Sequence, residues 1–123
     1  MESPHKNMFQ VNFSDQSMAE LNKLPIEQQM PIVEKLSNLK REDFEKSHDD
    51  LGKFNRDGKT FYRLRADDHR IYFEVKEAIL ISHYILHQHS LADFVFRFKL
   101  PYKEETLIEQ HQSFWKYLES MNK

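Results

Sequence analysis

From Thr60 to Ala66 and again from His69 to Val75 the chain alternates apolar with polar residues and favours β-branched and aromatic types, and Asp67-Asp68 between the runs suits a tight turn. A two-residue loop there predicts a hairpin in which Ala66 faces His69, Arg65 faces Arg70, Leu64 faces Ile71, Arg63 faces Tyr72 and Tyr62 faces Phe73. Alternation then gathers Tyr62, Leu64, Ile71, Phe73 and Val75 on one face, the core side. It leaves Phe61, Arg63, Arg65, Arg70, Tyr72 and Glu74 on the other. Two arginines directly opposite each other repel by about 0.2–1 kcal/mol, so the second face requires negative charge. The source is either an acidic ligand, or Glu74 or an acid from elsewhere in the chain.

Around this hairpin the pattern predicts the following elements. Asn7 to Phe13 reads as a short strand with Phe9, Val11 and Phe13 on its apolar side. Ser14 or Asp15 caps a helix over Gln16 to Lys23, and Leu24-Pro25 leads into a second helix running to about Leu39. The second helix carries Ile26, Met30, Ile32, Val33, Leu36 and Leu39 on one stripe. Pro31 either kinks it or moves its start to about Met30. Lys40 to Asp50 reads as a charged connector with one helical turn, and Gly52 to Gly58 as a loop bringing Lys53, Arg56 and Lys59 to the hairpin edge.

After a turn at Lys76-Glu77, Ala78 to Leu86 forms a third meander strand. A two-residue loop sends Leu80, Ser82, Tyr84 and Leu86 to the core side, a three-residue loop Ile79, Ile81 and Ile85. Phe94 to Leu100 alternates and is expected as an edge strand or extended segment ended by Pro101. Lys103 to Met121 is an amphipathic helix with Leu107, Ile108, His111, Phe114, Trp115 and Leu118 on one stripe and Glu104 and Glu105 in its first turn. It covers its own sheet, or serves a partner or second copy through Phe114 and Trp115. The order of elements is that of an α+β sandwich with helices on one face of a sheet, in a single domain over residues 1–123.

Composition narrows the chemistry. There is no cysteine, which excludes disulfides, thiolate nucleophiles and thiolate metal sites. No apolar run is long enough to span a bilayer and the first residues lack the apolar core of a signal peptide, so a cytoplasmic location without membrane contact is expected. The formal net charge is -2, but residues 53–99 carry an excess of basic side chains and both flanks an excess of acidic ones. A basic middle suits a surface that meets phosphate. Only two glycines are present and no phosphate-binding loop motif. His83, His87 and His89 lack a carboxylate at ligand-like spacing, so no metal or cofactor is expected.

This order of elements, with Leu24-Pro25 between two helices, Tyr62-Arg63-Leu64-Arg65 on one strand and Arg70-Ile71-Tyr72-Phe73-Glu74-Val75 on the next, resembles the RelE/ParE family of toxins from type II toxin–antitoxin systems. The resemblance spans residues 8–98; the helix at 103–121 lies beyond the family core. It implies an N-terminal strand and helical hairpin packed on an antiparallel meander, and a metal-independent endoribonuclease that cleaves messenger RNA in the ribosome through attack of a ribose 2′-hydroxyl on the adjacent phosphate, repressing translation. Such chemistry needs cations on the phosphate and groups that move protons. Arg70 matches the family's phosphate-contacting strand arginine, Arg63 a basic position on the preceding strand, and Arg65 a position that is commonly arginine.

Three positions depart from the pattern: Phe61 replaces a basic residue, Phe96 a tyrosine, and Ser90 stands nearest an expected arginine. His87 and His89 are then the residues expected to carry protons. The catalytic set implied is Arg63, Arg70, His87 and His89, with Lys53, Arg56, Lys59 and Arg65 as RNA contacts. The partners implied are a cognate antitoxin wrapped over the arginine face, the ribosome and messenger RNA, with a homodimer through the last helix as a further contact. Two alternatives remain: a non-enzymatic gyrase inhibitor of ParE type, and a degenerate interaction domain of the same fold without toxicity.

Overall fold

Strand β3 (Lys59–Ala66) and strand β4 (His69–Lys76) form the hairpin in the register the two-residue loop dictates, with Arg65 opposite Arg70, Leu64 opposite Ile71 and Tyr62 opposite Phe73. The structure, a computed structural model, describes residues 9–45, 50–101 and 105–120. Asn7, Met8, Lys103, Glu104 and Met121, which the sequence assigned to element ends, lie outside them.

The stretch expected as a loop from Gly52 to Gly58 is a strand followed by a turn: β2 (Leu51–Arg56) pairs antiparallel with β3, Leu51 opposite Leu64 and Arg56 opposite Lys59. Leu51 and Phe54 are buried on opposite sides of the sheet, an alternation hidden among polar neighbours. The turn is Asp57-Gly58, both residues at positive φ (51° and 80°), the backbone that two-residue hairpin loops need and that Asp-Gly readily adopts.

Strand β5 (Ile79–His87) satisfies both facings foreseen for it. Its first half follows the two-residue loop, with Val75 opposite Leu80 and Phe73 opposite Ser82; a bulge then puts Tyr72 opposite Tyr84. Beyond the bulged residue, His83, the facing inverts. Leu80 and Ile85 lie in one core, and Tyr84 and Leu86 in the other.

Strand β1 (Gln10–Phe13) runs parallel to β5 as far as Ser82 and completes a five-stranded sheet of order β1-β5-β4-β3-β2. Where β1 stops, helix α1 (Asp15–Asn22) takes over the exposed backbone of β5. The Gln16 amide exchanges two hydrogen bonds with Ile85, at 3.0 and 3.1 Å, and the Ser14 hydroxyl, besides capping the helix, donates to the His83 carbonyl at 2.6 Å.

Helix α1 and helix α2 (Ile26–Ser37) cover one face of the sheet, sealing Leu21, Ile32 and Leu36 against Leu64, Ile71 and Phe73. Helix α2 begins at Ile26, so Pro31 lies inside it. A 3-10 turn at Arg41–Phe44 supplies the helical turn of the connector and sets Phe44 against Tyr62.

The helices are not confined to one face, as the order of elements suggested; the other face is covered as well, because the C-terminal residues fold back onto Phe54, Tyr72, Tyr84 and Leu86. Residues 94–100, expected to be extended, belong to helix α3 (Gln88–Phe98): Leu91, Phe94, Val95 and Phe98 recur at helical spacing, a period masked by the alternation of Phe94, Phe96 and Phe98. The single helix foreseen over 103–121 is two, α4 (Glu105–Gln110) and α5 (Gln112–Ser120), broken at His111, whose Nδ1 accepts the Ser113 N–H and so starts α5. Phe114, Trp115 and Leu118 pack on Tyr72, Phe54 and Phe94. The stripe offered as a dimer anchor is therefore already buried in its own chain at Ile108, Phe114, Trp115 and Leu118, while His111 is half-buried and Leu107 exposed. No helix among the described residues is long and apolar enough to cross a membrane.

Candidate functional site

The arginine-bearing face of the β3–β4 hairpin lies beneath α3, α4 and α5. Arg63 is 2% exposed, and its Nε donates to both carboxylate oxygens of Glu109, at 3.1 and 3.2 Å; Glu109 is itself 0% exposed. The Tyr72 hydroxyl donates to the same carboxylate at 2.5 Å, and the Trp115 indole N–H donates to the Glu109 carbonyl at 2.6 Å. The acid on this face thus comes from α4 and serves Arg63, which faces Tyr72, not the opposed Arg65 and Arg70; Glu74 instead meets His83. A buried ion pair is held in place only when its remaining hydrogen-bonding capacity is met, and here Tyr72 contributes to meeting it.

The other expected site residues are dispersed. Arg70 is buried at the end of the sheet, where its Nη1 donates to the Asp67 and His69 carbonyls at 2.9 and 3.0 Å, bracing its own turn. Arg65 is half-buried beside it in the register. His87 lies on the opposite side of the sheet. It pairs with His69, ring centroids 5.2 Å apart, and lines a cleft of about 570 Å³ beside Glu27, Asp67 and Asp68. Its Nδ1 accepts the His89 N–H and caps α3, while His89 is exposed on that helix. Arg63, Arg70, His87 and His89 are therefore not gathered on one open surface.

Lys53 and Lys59 are exposed, and Arg56 lies over the Trp115 ring at 5.3 Å with Glu119 at 3.8 Å. Phe61 is packed between His83 and Trp115, while Phe96, 83% exposed, points away from the sheet. Glu109 and the His83–Glu74 pair were missed by sequence reasoning. The signal for Glu109 was present in the unbalanced arginines; that for His83 depends on a bulge.

Burial beside the His87 ring lowers the pKa of His69, with Asp68 and Glu20 opposing the shift and Arg70 adding to it. A histidine whose folded pKa is depressed gives stability that is complete above its unfolded value, about 6.5, and is lost as pH falls through the lower folded value. The denaturation midpoint is expected to fall below pH 6.5 by less in His69→Gln than in the parent chain; equal pH slopes would refute it.

No protein-family profile matches the chain, and no curated protein matches it. Among solved structures, a chain of the toxin–antitoxin complex RelBE2 from Mycobacterium tuberculosis is similar at 18% identity and a TM-score of 0.52, over 65% of this chain and 98% of that one. A chain of the archaeal RelE–RelB complex from Pyrococcus horikoshii is similar at 20% identity and a TM-score of 0.54, over 65% and 94%. At these identities the likeness is one of fold. The chain has the α+β fold of the chains matched in RelE–RelB toxin–antitoxin complexes, with a mixed five-stranded sheet and both of its faces covered.

Proposed function

We propose that this chain is the toxin-type component of a type II toxin–antitoxin system, directed at messenger RNA on the ribosome and partnered by an antitoxin. The observation that carries the reading is the arginine-bearing hairpin in the register of the motif, set in a fold that takes in nearly the whole of two chains from RelE–RelB complexes. RNA cleavage by 2′-hydroxyl attack requires cations at the phosphate, and Arg63, Arg65 and Arg70 supply them once a bound partner displaces α4 and α5, whose buried Ile108, Phe114, Trp115 and Leu118 keep them from opening by themselves.

A second reading, a RelE-fold protein without nuclease activity, is favoured by one observation: the Glu109 carboxylate holds Arg63 where a phosphate would have to bind. Induced expression in a bacterial host, with mapping of messenger-RNA ends, separates the two. Growth arrest with new cleavage sites, both lost in Arg70→Ala, is the result expected of the toxin. Normal growth with intact messages overturns it in favour of the second reading.

A further inference from the structure

Helix α3 presents to solvent a face that its own chain does not use. Leu91 and Phe94 are buried beneath it, while Ala92, Asp93, Phe96 and Arg97 are exposed. Between this face and α4 lies a groove of about 500 Å³, lined by Leu91, Ala92 and Val95 from one helix and Ile108 from the other, with Phe96 at its rim. Gln88 and His89 stand at one end, and among the described residues no carboxylate, lysine or arginine lines it. Such a lining has nothing to hold a charged ligand with, and favours an apolar side chain.

The chain itself supplies a side chain of that kind. Phe96 is 83% exposed, more than any other large apolar residue among the described residues. It stands one helical turn from Ala92 on the same side of α3. A ring and a groove placed so on one helix cannot meet each other, but they can meet those of a second α3 running antiparallel. A two-fold axis near Phe94 sets each Phe96 over Ala92 of the other copy. One patch then faces itself, which closes the pair and leaves no free end for further copies.

Charge agrees with that arrangement. Arg97 Nε lies 3.0 Å from Asp93 Oδ2 on the same helix, and both side chains remain half or more exposed. In an antiparallel neighbour the order of acid and base is reversed, so each acid comes beside the base of the other copy at the edge of the apolar contact.

We propose that the chain pairs with a second copy of itself through α3, each Phe96 seated in the groove of the other copy and Asp93 set against Arg97 across the two-fold axis. This surface is separate from the buried stripe of α5, and the contact needs neither RNA nor antitoxin. It has a consequence for the arginine face. Ile108, which the contact covers, adjoins Glu109 in α4, so pairing braces the helix whose carboxylate holds Arg63. The added stability grows with protein concentration.

The test is sedimentation equilibrium of the full chain over about 1–500 µM, with melting temperatures taken across the same range. Expected are a dimer mass and a melting temperature that rises with concentration. Phe96→Glu, a change at an exposed side chain, is expected to raise the dissociation constant by about 100-fold or more and to remove the concentration dependence. Arg97→Asp should weaken the dimer by bringing like charges together, and Asp93→Arg/Arg97→Asp, which exchanges the two charges, should restore it. A monomer throughout the range overturns the proposal and leaves the groove to a different protein. A dimer with an unchanged constant in Phe96→Glu overturns it as well, as does one that the charge exchange fails to restore. Growth arrest judges the toxin reading separately, and neither result depends on the other.

Discussion

Glu109→Ala is expected to destabilise the fold by about 3–5 kcal/mol, the cost of leaving one member of a buried ion pair alone. Arg63 cannot relieve the loss by giving up its proton, because a guanidinium stays charged at any ordinary pH. The Tyr72 hydroxyl would lose its carboxylate acceptor in the same step. Arg63→Met should cost less, since a carboxyl left without its arginine can neutralise itself by taking up a proton. The pair Arg63→Met/Glu109→Leu, which removes both charges and keeps an apolar filling, is expected to regain most of the stability. Denaturant midpoints of the three variants measure all of this. A loss below about 1 kcal/mol for Glu109→Ala would place the carboxylate in contact with water, where exposed pairs have little worth.

That prediction also marks where the sequence was informative. The β3–β4 hairpin was legible because loop length and alternation both act locally and agree, so the opposed Arg65 and Arg70 followed from counting. The demand for an acid against the arginine face was legible too, but not its identity, because Glu109 is forty-six residues from Arg63 and nothing local links them. Strand β2 was lost because only Leu51 and Phe54 mark it, one on each side of the sheet. Helix α3 was misread because phenylalanines at 94, 96 and 98 imitate a strand, while the buried set, Leu91 and Phe94, follows the helical period. The separation of His87 from Arg63 could not be read either: the bulge at His83 inverts the facing of everything after it, and a bulge leaves no mark in a hydrophobic pattern.

Phe114→Ala is expected to cost about 3–5 kcal/mol, a large share of the roughly 5–15 kcal/mol that holds a domain together. The ring is fully buried and lies against Tyr72, Phe94 and Trp115, with centroids 5.5, 5.4 and 6.0 Å away. The consequence reaches the site. Uncovering the arginine face means exposing Ile108, Phe114, Trp115 and Leu118, each worth about 1.5–3 kcal/mol, so the total rivals the stability of the whole fold. Helix α5 should therefore not detach by itself, and its amides should exchange hydrogen with the same free energy as those of β4, through global unfolding. Phe114→Ala should lower both values together. Faster exchange confined to α4 and α5 would instead identify the C-terminal helices as a separable cover. In that case Arg63 becomes accessible without unfolding, and a partner that binds the open form needs to supply only the difference between the two states.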